Sequence, residues 1–406
     1  ISGKALSQLE SHKLTLCDIH HLGKPERLID RALAVVMRTP RSYTGETVVE
    51  LQCHGGFLAA DRILNQLLQA GARLAEAGEF SRRAFINGKT DLTGAEAVMD
   101  MIDAHSGLGL ENAAHALDGA LARKIDALRN QVMAAAAHVS AAADYPEEVD
   151  APEASVLLQE FTSIQEGIDC LLSGFDTGRM LKDGIVTVIL GRPNVGKSSI
   201  LNALARADRA IVTDIPGTTR DVIEEYIRLG GAALRLLDTA GIRTGADEVE
   251  CIGIQRALEH AQKADLCLLV LDSTRCIDPE DLELAQKIKG KPTLVLLNKT
   301  DQSPIVTPKE AAELLKLPES AILKTAVPKE GDARGIDALE AAIRTLFIDN
   351  RVQPGQVYLS SQRQKDALLK AQQAMERAVD SVETEMPYDL LYIDLEDALA
   401  ALGEVT

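Results

Sequence analysis

The chain has 406 residues, 46% of them apolar, with no tryptophan and 3% aromatic residues; 61 acidic against 43 basic side chains leave a formal charge of −18. One hydrophobic core does not fill that length, so two or three domains are expected. The acidity excludes non-specific nucleic-acid binding through bulk charge, and the lack of an 18-residue apolar run excludes a membrane-spanning helix. Six scattered cysteines (Cys17, Cys53, Cys170, Cys251, Cys267, Cys276) form no C-x-x-C pair and fit reduced thiols of a cytoplasmic protein. The chain opens at Ile1 rather than Met, without a signal-peptide pattern, and a further N-terminal piece is expected before it.

Residues 1 to about 90 mix strand and helix signals. Leu14–Ile19, Arg31–Met37 and the alternating Thr47–Cys53 are predicted strands; His54-Gly55-Gly56 then turns into a helix over Phe57–Ala70, ended by Gly71. This is a small α+β domain. His54 finds no second ligand pair at metal spacing and reads as a turn histidine, and His20-His21 as a solvated loop. From about 91 to 181 the chain is rich in alanine and leucine. Helices are predicted over Ala95–Ala104, Leu108–Ala143 and Ala154–Leu172, as in a bundle.

From 182 to about 347 apolar strands alternate with amphipathic helices, the pattern of a doubly wound sheet; Ile185–Leu190, Leu234–Leu237, Leu266–Leu271 and Thr293–Leu297 are the clearest strands. From 357 onward helix returns over Ser361–Glu385, and another starts at Asp394. The simplest arrangement is one helical domain, split in sequence, that carries the α/β domain as an insertion. Separate N- and C-terminal helical units are the other arrangement open at this point.

The most informative stretch is Gly191-Arg192-Pro193-Asn194-Val195-Gly196-Lys197-Ser198, a G-x-x-x-x-G-K-S loop between a buried strand and a helix that includes Ser199. Backbone N–H groups and the helix N-terminus converge there on one anionic site; Lys197 reaches the outer phosphates of a nucleotide and the Ser198 hydroxyl enters the Mg²⁺ shell. Some twenty residues on, Thr213-Asp214-Ile215-Pro216-Gly217-Thr218-Thr219 suits a switch closing over the γ-phosphate and Mg²⁺, with Thr219 in that role. Asp238-Thr239-Ala240-Gly241 ends a strand and supplies a carboxylate near Mg²⁺ and a glycine N–H to the γ-phosphate. Asn298-Lys299-Thr300-Asp301 ends another; Asp301 accepts from two donors that guanine has and adenine lacks, which selects GTP. Thr325-Ala326-Val327 stands where a Ser-Ala-Lys loop usually lies under the base.

Ile242 follows Gly241, where Ras-like GTPases carry a water-orienting glutamine, and isoleucine cannot do that work. The run Asp247-Glu248-Val249-Glu250 either supplies a carboxylate to hold water or is a solvated helix start. Asn194 and the threonines of 213–218 present oxygen ligands suited to a hard cation.

Together these residues resemble the MnmE (TrmE) family of tRNA-modifying GTPases over nearly the whole chain. Ser42–Glu50, Cys53-His54-Gly55-Gly56 and Ala77–Lys89 resemble its N-terminal domain, Gly217–Asp221 its first switch, Asp238–Glu250 its second and Asp394–Thr406 its last helical part. The resemblance implies a multidomain α/β + α protein. It would have an N-terminal folate-binding and dimerisation domain (1–90), a discontinuous helical bundle (91–181 and 348–406) and an inserted Ras-like P-loop G domain (182–347).

It further implies GTP hydrolysis with Mg²⁺, stimulated by K⁺ as G domains dimerise, the K⁺ standing in for an arginine finger. With the flavoprotein MnmG (GidA), such a homodimer would add an aminomethyl or carboxymethylaminomethyl group at C5 of the tRNA wobble uridine, the carbon coming from 5-formyl- or methylene-tetrahydrofolate. Asn194 and Thr218 match K⁺ ligands, with the carbonyls of Thr213 and Ile215. Ser198 and Thr219 match Mg²⁺ ligands, Glu250 the residue positioning water, and Glu50 and Lys89 folate contacts. The family's opening strand and its Cys-[Ile/Val]-Gly-Lys ending fall outside Ile1–Thr406. Arg82-Arg83 with Lys89 is the best local basic cluster for tRNA. A ribosome-assembly GTPase acting as a binding switch is the alternative function.

Overall fold

The computed structural model describes residues 8–207, 225–237, 258–328 and 332–406. Its contacts divide the chain into a unit of residues 1–96 with Thr406 and a unit of residues 97–405.

In the first unit β1 (Thr15–His21), β2 (Lys24–Met37) and β3 (Val48–Gln52) form an antiparallel sheet in that order. β2 starts seven residues before the predicted strand, because Lys24–Asp30, with Leu28 and Ile29 adjacent, carries no apolar alternation yet still pairs with β1 across a register shift at His20. Cys17, Ala32, Ala34 and Val36 are buried on one face of this sheet, whereas the cross-strand pair Leu16 and Leu33 stays 60% and 36% exposed on the other. After α1 (Phe57–Gln69) comes α2 (Glu79–Ile86), which the sequence reading did not anticipate. The Glu79 carboxylate organises it. It accepts from the Arg73 guanidinium at 2.6 and 2.8 Å, from Arg83 and from the Glu76 N–H, and these bonds hold its carboxyl down to about 2. α3 (Leu92–Ile102) leads into the second unit.

The second unit opens with α4 (Gly107–Leu117), α5 (Ala120–Asp144), α6 (Ala154–Ser173) and α7 (Phe175–Asp183). The single helix expected over Leu108–Ala143 is therefore two. Gly119, at φ 79° in the left-handed region, stops one and starts the other. The sheet follows: β4 (Ile185–Leu190), α8 (Lys197–Ala207), β5 (Glu225–Leu229), β6 (Ala232–Leu236), β7 (Leu266–Asp272), α9 (Pro279–Lys287), β8 (Thr293–Asn298), α10 (Pro308–Leu315), β9 (Ile322–Lys324) and α11 (Ile336–Arg344). Strand order is β5-β6-β4-β7-β8-β9, parallel except for β5. From β4 the chain builds β6 on one side and β7 on the other, so the loop after β4 lies at the point where strand order reverses. Leu266–Leu271 of β7 are all at most 1% exposed, as the unbroken apolar run requires of a strand covered on both faces.

The chain ends in α12 (Gln362–Glu383) and α13 (Tyr388–Gly403). α13 starts six residues before the predicted Asp394, straight after Pro387, whose fixed φ suits a helix entry. α5, α6, α12 and α13 share one core: Ile125, Val132, Phe161 and Ile168 from the first pair, Leu368, Met375, Leu395 and Leu402 from the second, each fully buried. One helical body is thus assembled from two distant stretches, and the arrangement of separate helical units is excluded. Where the chain returns to the bundle it is clamped: Asn112 Oδ1 accepts from the Tyr358 N–H at 2.8 Å and Asn112 Nδ2 donates to the Tyr358 carbonyl at 3.3 Å. A Cβ on Gly178 of α7 would lie 1.9 Å from the Leu359 carbonyl oxygen.

Candidate functional site

The loop Gly191–Ser198 is shaped by its glycines and held by a second loop. Gly191 is at φ 147°, with an added Cβ meeting the Val270 carbonyl at 2.5 Å; Gly196 is at φ 100°, its Cβ position 2.2 Å from Asn298 Nδ2. Asn194 adopts φ 64°, which asparagine tolerates better than most residues. α8 begins at Lys197, so the positive end of its dipole lies at the loop. Lys197 Nζ donates to the carbonyls of Gly191 and Arg192, each at 2.8 Å.

Asn298 and Lys299, expected as part of base recognition, are first of all struts for this loop. Asn298 Nδ2 donates to the Val195 carbonyl at 2.9 Å, and Lys299 Nζ donates to the Asn194 carbonyl at 2.8 Å and to Asp272 at 2.6 Å. Burial works against the charge on Asp272, but hydrogen bonds from Lys299 and Thr274 keep its carboxyl below the usual carboxylate range. Asp301 is exposed, free to face a ligand.

The loop at Thr325 is zipped onto the same turn. The Thr300 N–H and hydroxyl donate to the Thr325 carbonyl at 3.2 and 2.9 Å, and the buried Thr325 hydroxyl lies 3.4 Å from Asn298 Oδ1. The threonine hydroxyl, 3.4 Å from the Leu297 carbonyl as well, thus lies against the asparagine that holds the phosphate loop. Ala326 pairs with Arg334, and Gly335 closes the turn at φ 86°, where a Cβ would sit 2.0 Å from the Lys324 carbonyl. A cavity of about 440 Å³ opens beside α8, lined by Ser199, Asn202, Arg206, Val327, Asp332 and Asp337 among others. Asn202 and Arg206 escaped the sequence reading, although their spacing from Ser199 puts all three on one helix face.

Two further residues were missed. Arg192, inside the loop, is paired with Asp278 and with Glu280, the latter at 2.9 Å. Asp278 caps α9, accepting from the Glu280 and Asp281 N–H groups. Nothing in the local sequence marks that pairing. Thr213, Ile215, Thr218, Thr219, Asp238, Thr239, Ala240, Gly241, Ile242 and Glu250 lie outside the described residues.

In the first unit Glu50 is exposed on β3 opposite Val35, and the Lys89 side chain passes over Gly45, its Cγ 3.2 Å from where a Cβ would stand there. The basic cluster expected at Arg82, Arg83 and Lys89 is weakened: Arg83 is bound to Glu46 at 2.8 Å and to Glu79 at 2.7 Å, so its charge is already met. His54 bonds Asp30 with its N–H and Nδ1, in keeping with a turn residue. Among the described residues no group of three His, Cys, Asp or Glu side chains forms a metal site. The neutral oxygens of Asn194 and Ser198 fit hard cations shared with phosphate oxygens.

Similarity to known proteins runs the length of the chain. A family profile described as the MnmE helical domain matches residues 92–406, and one described as the GTP-binding protein TrmE N-terminus matches residues 2–89. The tRNA modification GTPase MnmE of Bacillus subtilis (strain 168) is 41% identical over 407 residues, covering 99% of this chain and 87% of that protein. That of Geobacillus thermodenitrificans is 43% identical over 409 residues, covering 100% and 87%. Among solved structures, Era of Aquifex aeolicus covers 47% of this chain and 67% of its own at 25% identity, with a TM-score of 0.29. A phosphate loop braced by its own guanine-motif residues, between two family matches that together reach from residue 2 to residue 406, places this chain in the MnmE family of tRNA modification GTPases.

Proposed function

We propose that the chain hydrolyses GTP, stimulated by K⁺ through G-domain dimerisation, to drive modification of the tRNA wobble uridine. The observation that carries this reading is the bracing of Gly191–Ser198 by Asn298 and Lys299, which joins the phosphate and base halves of one nucleotide site. Lys197, held by the loop carbonyls, meets the β- and γ-phosphates, while the α8 N-terminus receives their negative charge. Asp301 takes the guanine donors, with Thr325, Ala326 and Ser199 beside the base. Ser198 and Thr219 would hold Mg²⁺, and Asn194, Thr218 and the carbonyls of Thr213 and Ile215 would hold K⁺. When bound, the two cations supply the positive charge that other GTPases complete with an arginine. Asp238, Thr239, Ala240 and Gly241 would serve the γ-phosphate, and Glu250 would orient the water that displaces GDP, in the role of the glutamine that Ile242 replaces.

In the first unit Glu50 and Lys89 would contact a tetrahydrofolate derivative, and the exposed Leu16–Leu33 face of the sheet supports pairing with a second copy. Family membership supports tRNA as the substrate and MnmG as the flavoprotein partner of this reading.

The test compares GTP turnover in K⁺ and in Na⁺. Turnover should be faster in K⁺, and Asn194→Ala should lose that advantage while GDP affinity falls by no more than about tenfold, because alanine at this left-handed position strains the loop but leaves the base contacts intact. Equal rates in the two salts for the unaltered chain would remove the cation from the proposal. Titration with 5-formyltetrahydrofolate should give saturable heat; none would remove the folate.

A further inference from the structure

The phosphate loop is tied at its far end to α9 by a side chain that no motif singles out. Arg192 donates through Nη1 to Asp278 and through Nε to Glu280 at 2.9 Å, and its side chain is 23% exposed. The Asp278 carboxylate is divided between two tasks: Oδ1 accepts from the first-turn N–H groups of α9 at 3.2 and 3.3 Å, and Oδ2 takes the guanidinium. Arg192 is thereby fixed to a helix that is itself pinned by a capping box and by Pro279. Its own carbonyl, and that of Gly191 before it, both accept from Lys197 Nζ. The position of the lysine ammonium is therefore set by carbonyls whose place depends on the Arg192 side chain.

We infer that Arg192 is a positioning residue for Lys197: its two-point pairing with Asp278 and Glu280 holds the first half of the loop so that the ammonium is aimed at the outer phosphates. The inference rests on the nucleotide site proposed above. A planar guanidinium suits the role, since its fork engages two carboxylates in fixed geometry while lysine offers one point charge. Because the lysine meets the β- and γ-phosphates, loosening it should penalise the triphosphate more than the diphosphate.

The test measures steady-state GTP hydrolysis and the affinities of fluorescent GDP and of a non-hydrolysable GTP analogue on the full chain. Arg192→Ala should raise KM and weaken the triphosphate analogue by about three- to tenfold, the range expected for a partly exposed two-point ion pair, with kcat at saturation changed less than about twofold. GDP affinity should fall by a smaller factor. Arg192→Lys should recover only part of the loss. Asp278→Ser with Glu280→Gln keeps a helix cap while removing both carboxylates, and should reproduce the KM effect; adding Arg192→Ala to that background should cost nothing further. A loss confined to melting temperature or to kcat, or full additivity of the two sets, would overturn the inference. If the unaltered chain bound no guanine nucleotide, the proposed function itself would fall, a result separable from wild-type behaviour in Arg192→Ala.

Discussion

Gly196 combines a backbone angle and a contact distance that exclude every other residue. At φ 100° a side chain is strained, and a Cβ there would stand 2.2 Å from the Asn298 amide. Gly196→Ala should displace Asn298 from the Val195 carbonyl and cost about 5- to 150-fold in GDP affinity, from roughly 1–3 kcal/mol of backbone strain. A fluorescent-GDP titration checks it, and wild-type affinity would refute it. The loop glycines are legible in sequence because the turn fixes their type, and the proposed roles of Lys197 at phosphate and Asp301 at guanine rest on residue type in the same way. Arg192 was not legible as a tether of the loop, and Thr325, expected beside the base, was not legible as a neighbour of Asn298. Their partners, Asp278 and Asn298, come from other segments, and only the fold puts them in contact.

Elements were legible where one physical cause dominated. The expected strand Ile185–Leu190 is β4 to the residue, because burial on both faces demands an unbroken apolar run. β5 and β9 were missed: one is an edge strand carrying Glu225 and Arg228, the other is three residues long. α7 was hidden by its closeness to α6, from which Gly174 alone separates it. The Asn112 clamp on Tyr358 belongs to this scale, for it fixes where the returning chain meets α4. Asn112 is buried, so Asn112→Ala would leave the Tyr358 N–H unpaired away from water. It should lower the stability of the second unit by about 1–3 kcal/mol. An unchanged denaturant midpoint for the loss of helical circular dichroism would show the clamp to be dispensable.

At the scale of the molecule, the joint core of α5, α6, α12 and α13 makes the sheet-bearing segment an interruption of a helical body rather than a link between two bodies. Composition could suggest both arrangements; the choice depends on which faces meet, and helical periodicity does not say. The points of exit and return are close, since α7 runs into β4 at one end and Gly178 presses on the Leu359 carbonyl at the other. Replacing residues 185–355 by a short Gly/Ser linker should therefore keep the bundle. Loop-closure entropy grows slowly with length, and the linker spans neighbours. The shortened chain should retain a cooperative helical melt and lose all GTP binding. Its core would still bury Phe161, Leu368, Met375 and Leu395 against one another, contacts that owe nothing to the sheet. A molten helical signal without a cooperative transition would mean that the bundle draws its order from the inserted segment, and the division of labour argued for this chain would have to be redrawn.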